Sequence, residues 1–122
     1  MHKDVTVSEY AKKWNDKRLA LGEIKQRTYE KNKHALDAVC MHIGDIKLQK
    51  LKAEDIEDAY TKLRNGDTPS GKKLSGTTLH AYHVSLNHLL STALQRRLIV
   101  SNPCDLIAAP QDDNKERIAL SL

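Results

Sequence analysis

Apolar residues recur at three- and four-residue intervals in four separate stretches of the chain, each bracketed by residues that start or stop helices. Thr6-Val7-Ser8-Glu9 has the capping-box pattern, in which a Thr hydroxyl and a Glu carboxylate satisfy free amides at a helix start. Val7, Tyr10, Ala11, Trp14 and Leu21 follow on one face, and Gly22 is placed to end the helix. A second helix is predicted from about Thr28 to His42. It has Tyr29, Leu36, Val39, Cys40 and Ile43 on one side, Lys31, Lys33 and His34 toward the other, and Gly44 as its stop. Ile46, Leu48 and Leu51 then alternate with polar residues, as an extended connector would. Ile56, Ala59, Tyr60 and Leu63 return to helical spacing, with Glu54 and Asp55 in the first turn, where the helix dipole favours negative charge, and Asn65-Gly66 at the end.

The fourth helix is the longest. Ser75 can cap it, it starts around Thr77, and Leu79, Tyr82, Leu86, Leu89, Leu90, Ala93 and Leu94 form its apolar stripe. Its other side is expected to show Thr78, His80, His83, Asn87 and Ser91. Asn102-Pro103 must turn the chain, because proline cannot continue a helix and biases its predecessor away from helical geometry. A short last helix is expected around Cys104 to Ala108, ended by Pro110. Leu98, Ile99 and Leu106 are expected to tie the end of the long helix back onto the bundle, with Arg96 and Arg97 in structural roles at the negative end of its dipole.

With no credible run of strands and no internal repeat, the pattern predicts an all-α bundle of four to five helices. A chain of 122 residues suits one domain, taken as residues 1–110, and residues 111–122 are expected to be a linker toward a further element. No apolar run approaches the roughly 18 residues a membrane span needs, and the N-terminus has no apolar secretory segment, so a cytoplasmic location is expected. Cys40 and Cys104 fit neither metal-ligand spacing nor a disulfide framework and are expected to be buried thiols.

Charge position says more than the net +4. Residues 25–50 set Lys25, Arg27, Lys31, Lys33, Lys47 and Lys50 against Glu30, Asp37 and Asp45, and residues 67–104 set Lys72, Lys73, Arg96 and Arg97 against Asp67. Both stretches are net cationic and also hold His34, His42, His80, His83 and His88, so a face built from the two would suit a polyanion.

The signatures of catalysis are missing from the sequence. No glycine-rich phosphate loop or nucleophile elbow occurs, and Ser70-Gly71-Lys72-Lys73 lacks the preceding strand and first glycine of a phosphate cradle. His80 and His83 stand three residues apart on a helix, within reach of a shared metal ion, but no third ligand is evident. The carboxylates Glu54, Asp55, Glu57 and Asp58 suit a helix start and a solvated face. Nucleic-acid binding fits better: Lys and Arg neutralise phosphates, while Thr, Asn and His can hydrogen-bond phosphates or base edges in the major groove.

In order, "TVSEYAKKWNDKRL", "KQRTYEKNKHALDAVCMHIGDIKLQKL", "KAEDIEDAYTKL" and "LSGTTLHAYHVSLNHLLSTALQRRLIVSNPCDLIAAP" form a pattern. It resembles the core-binding, SAM-like N-terminal domain of tyrosine recombinases of the phage and transposon integrase type, over residues 6–110. The resemblance implies a non-catalytic module that binds double-stranded DNA. It would form half a clamp around the core recombination site, with a C-terminal catalytic domain closing from the other side and sister recombinase subunits as neighbours. It implies that the second and fourth helices face the major groove, with Lys25, Arg27, Thr28, Lys31, Lys73, Ser75, Thr77, Thr78, His80 and His83 as contact candidates. No cofactor or metal is implied, and none of Tyr10, Tyr29, Tyr60 or Tyr82 is the nucleophile. The alternative from another class is a helical protein-interaction module whose basic faces are incidental.

Overall fold

The computed structural model describes residues 5–110, so the segment expected to be a linker, residues 111–122, lies outside the described residues. Four helices carry the fold: α1 (Val7–Ala20), α2 (Gln26–Ile43), α3 (Ala53–Arg64) and α4 (Gly76–Gln95). Two short 3-10 turns join them, Leu48–Lys50 between α2 and α3 and Pro103–Leu106 after α4. The all-α bundle is as expected, and no strand is assigned among the described residues.

Local chemistry sets most helix ends. The Glu9 amide donates to the Thr6 hydroxyl at 3.2 Å, and the Thr6 amide donates to the Glu9 carboxylate at 3.0 Å, completing the capping box. Ser75 caps α4 by accepting from the Thr78 amide at 3.2 Å. α1, α3 and α4 end alike: the residue after the C-cap turns left-handed, and the next amide reaches back five residues to a carbonyl of the last turn. Glycine takes the left-handed position at Gly22 (φ 78°) and Gly66 (φ 102°), whereas α4 places Arg97 there (φ 62°). Gly44 is the C-cap of α2, the stop expected there, and it is right-handed at φ −62°. Its value lies in space, because an added Cβ would stand 3.1 Å from the Ser8 Cβ of α1.

The residues after α2 fold differently from the expected extended connector. Thr6 and Lys47 form one antiparallel bridge, with the Val7 amide donating to the Ile46 carbonyl and the Leu48 amide to the Val5 carbonyl, each at 2.9 Å. This pairing pins the start of α1 to the end of α2. The core follows the apolar stripes: Val7, Ala11 and Trp14 from α1, Leu36, Val39 and Ile43 from α2, Ile56 and Leu63 from α3, and Leu79, Leu86, Leu89 and Leu90 from α4. Each fully buried leucine or isoleucine stabilises the fold by about 1.5–3 kcal/mol relative to exposure. Ala35, Ala38, Ala59 and Ala93, all buried, let the backbones approach closely.

Three expected core leucines lie elsewhere. Leu21 is 62 % exposed, Leu94 36 % and Leu106 77 %, each beyond or at the end of its element, where the packed face has turned away. Ile99 is buried and Leu98 half-buried, so that pair does hold the end of α4 to the bundle, without Leu106. The Asn102 side chain fastens the Asn-Pro turn. Its amide donates to Asn87 Oδ1 at 2.8 Å and Ser91 Oγ at 3.2 Å, and its oxygen accepts from the Cys104 amide at 2.9 Å. Cys104 is buried and Cys40 half-buried, both free, and burial pushes both thiols up to about 12.

Candidate nucleic-acid interface

α2 and α4 pack against each other in mid-span. The Ser85 hydroxyl donates to Asn32 Oδ1 at 3.3 Å, and the His34 ring meets Tyr82 edge-on at 6.0 Å. A shallow groove over this contact is lined by Glu30, Lys31, His34 and Ala35 of α2 and Ala81, Tyr82 and Ser85 of α4. Asn32 is buried because it also donates to Asn15 Oδ1 of α1 at 3.2 Å, tying three helices at one polar point. Lys25 and Thr28 precede Asn32 by seven and four residues, and Ser75 and Thr78 precede Tyr82 by the same intervals. At 1.5 Å per residue, both basic helix starts therefore lie within about 11 Å of the packed region along their own axes.

The N-termini of these two helices differ from the others. α1 has Glu9 in its first turn and α3 has Glu54 and Asp55, but α2 and α4 have no acidic residue there. Lys25, at the N-cap of α2, makes no side-chain capping bond. Exposed amides and the positive end of the dipole are left beside Lys25, Arg27 and Thr28, all exposed, which favours an anion. Lys33 is held by Asp37 and Lys12 by Asp16, both at 2.9 Å, whereas among the described residues no carboxylate pairs with Lys25, Arg27, Lys31 or Lys73.

The candidates of α4 separate by geometry. Lys73, Ser75 and Thr77 are exposed; Thr78 is half-buried, and its hydroxyl accepts from the Ser75 hydroxyl at 3.2 Å. His80 is half-buried, with Nδ1 2.9 Å from the Pro110 carbonyl, against which the end of the described chain folds back. His83 corrects the expected polar face. It is 8 % exposed, its Nδ1 lies 2.8 Å from the Tyr60 hydroxyl of α3, and the two rings pack edge-on at 5.7 Å. Burial first, and then the charge of His80, holds its imidazole below the usual 6.5. Residue 83 follows Leu79 by four and precedes Leu86 by three, so it is in phase with the core, a signal the sequence does contain. His80 and His83 are engaged with different partners, and among the described residues no group of three or more His, Cys, Asp or Glu side chains converges as a metal site would.

Two features have no sequence signal of this kind. Trp14 donates to the Thr92 hydroxyl at 3.3 Å, stands edge-on to His88 at 5.3 Å and carries the Arg18 guanidinium 4.7 Å from its ring centre, placing a cation beside α4 from α1. Tyr29 donates its hydroxyl to Asp16 at 2.7 Å, closing the start of α2 onto α1.

This arrangement defines a small helical domain with two acid-free helix starts flanking one face. Residues 6–64, just under half of the chain, match the family model of the phage integrase N-terminal SAM-like domain. Over those residues the chain is similar to the core-binding-type domain of tyrosine recombinases and phage integrases. The matched residues span α1 to α3; α4 and the Asn102-Pro103 turn lie outside them. Among curated proteins and among solved structures, nothing matches the chain. No helix of the described residues is long and apolar enough to cross a membrane.

Proposed function

We propose that this helical domain is a non-catalytic duplex-DNA-binding domain of a site-specific tyrosine recombinase, forming half of a clamp around the core recombination site. The observation that carries the reading is that α2 and α4 alone among the four helices begin without an acidic residue and pack against each other, with Lys25, Arg27 and Lys31 at or near the start of α2 and Lys73 just before α4. Lys25, Arg27, Lys31 and Lys73 neutralise phosphates, while Thr28, Ser75, Thr77 and Thr78 offer hydroxyls and helix-start amides to the backbone. His80, engaged with the chain end, lies at the border of the contact, and His83 is a core residue of the domain rather than a contact.

Val100 (99 % exposed) and Leu106 (77 % exposed) leave apolar surface in the segment that follows α4. This favours a protein neighbour there, which the clamp reading assigns to the catalytic domain or a sister subunit. The alternative of a purely protein-binding module keeps this surface and gives the basic face no role.

Titration of a labelled duplex at a series of salt concentrations tests the reading. Binding is expected to fall linearly on a log–log plot, and Lys31→Ala or Lys73→Ala should each reduce the slope by about 0.9. No association with any duplex at low salt, or an affinity flat in ionic strength, refutes it.

A further inference from the structure

From Gly76 to Gln95, α4 contains no Asp, Glu, Lys or Arg. Thr77, Ala81, Val84 and His88, spaced by four, three and four residues, form the outermost line of this helix, and all four are exposed, Val84 at 55 %. The solvent faces of the other helices differ: α1 shows Lys12, Lys13 and Lys17, and α3 shows Glu57, Asp58, Lys62 and Arg64. A lone exposed valine is ordinary. An entire uncharged line is less so when Lys31 borders the adjoining groove and Lys72 and Lys73 immediately precede the helix.

Cations at the margins and small neutral side chains along the middle fit the two parts of a major groove, phosphates at its edges and base edges on its floor. The groove is about 12 Å wide and admits one helix, and the apolar group it displays is the C5-methyl of thymine. Given the DNA-binding reading above, on which this rests, we propose that Ala81 and Val84 contact thymine methyl groups. The duplex sites preferred by this chain would then carry thymine beneath the middle of α4. Side chains three residues apart on a helix have Cβ atoms about 5–6 Å apart. Base pairs rise about 3.4 Å, so the two positions are neighbouring base pairs or one pair apart.

Deoxyuridine differs from thymidine in the base only by the missing methyl and provides the probe. The full chain is used to enrich duplexes from a random pool at low salt, and each thymine of the enriched site is then replaced singly by uracil. Roughly fourfold weaker binding is expected at one or two positions. Val84→Ala should remove the penalty at one of them while circular dichroism and the salt slope stay unchanged. Uracil tolerated at every position, or a penalty that both Val84→Ala and Ala81→Ser leave intact, overturns the thymine contact and leaves DNA binding standing. Failure to enrich any duplex overturns the DNA-binding reading itself, and this proposal with it. Self-association that Val84→Ala abolishes at unchanged DNA affinity assigns the line to a second copy of the chain and overturns the contact as well.

Discussion

Tyr60→Phe tests the inward placement of His83. Phenylalanine keeps the ring that packs edge-on against the imidazole at 5.7 Å and keeps the apolar burial, so the change removes one contact, the hydroxyl 2.8 Å from Nδ1. Tyr60 is 7 % exposed and His83 8 %, so water does not readily replace the lost partner. A buried polar group left unsatisfied costs about 1–3 kcal/mol, and release from desolvating the hydroxyl favours the low end, about 1–1.5 kcal/mol. For 122 residues, an unfolding entropy of about 2.1 cal/mol/K per residue turns that into a Tm lower by about 4–6 °C. Calorimetric melts at pH 7.5, with urea unfolding as the second measure, read it directly. The wild-type protein adds a signature in acid. The folded imidazole binds a proton less readily than the unfolded one, so the stability it contributes is complete above about 6.5 and is lost as the pH falls below that value. His88, held down first by burial and then by Arg18, acts in the same direction. Unchanged melting for both Tyr60→Phe and His83→Ala would show that the imidazole faces solvent and would refute its placement in the core.

Arg97→Gly should raise stability by about 0.5–1 kcal/mol, since the left-handed backbone at φ 62° disfavours a side chain by more than glycine adds to unfolded-state entropy; a destabilised variant in urea refutes this. Lys25→Asp supplies α2 with the cap it lacks and should stabilise the fold by about 1 kcal/mol while weakening duplex binding; equal affinity in a salt titration would remove the start of α2 from the interface. Cys40 and Cys104, pushed up to about 12, should resist a thiol-disulfide reagent at pH 8 until urea unfolds the chain; reaction at the rate of free cysteine in the native protein contradicts their burial.

The helices were legible because their signals are local. Thr6 with Glu9, Ser75 before α4, and Gly22 and Gly66 act within a few residues of their own positions, so sequence distance and spatial distance coincide. Start positions are marked only where a cap exists: α2 begins at Gln26 rather than Thr28, since its N-cap is a lysine with no capping side chain to mark it. Partnerships across the bundle left no trace. Asn32 looks like a surface residue until Asn15 and Ser85 are placed beside it, and Trp14 reaches a threonine 78 positions away. At His83, residue type misled where period did not. Counting from Leu79 and Leu86 places it inside, whereas its polarity suggested the outside. Val84 is the converse case, an apolar residue out of phase with the core stripe, and so a pointer to the outward line of α4 that position alone supplied.

The candidate interface was legible only as charge, and the structure changes what that charge can be assigned to do. An acid in the first turn and a capping side chain are the inexpensive ways to satisfy a helix start, and α1 uses both. α2 forgoes both, and α4 has its serine cap but no acid, so each start is less stabilised in isolation than it could be. The deficit would be made up by a ligand carrying negative charge, with the positive end of the helix dipole contributing to affinity rather than to folding. Cations supply that attraction without discriminating sequence, because phosphates are the same in every duplex. Discrimination needs side chains that do not answer to phosphate, and α4 presents such a line, without charge, between cationic margins. Affinity and sequence preference would thus rest on different residues of one face, the first on Lys25, Arg27, Lys31 and Lys73 and the second on Ala81 and Val84.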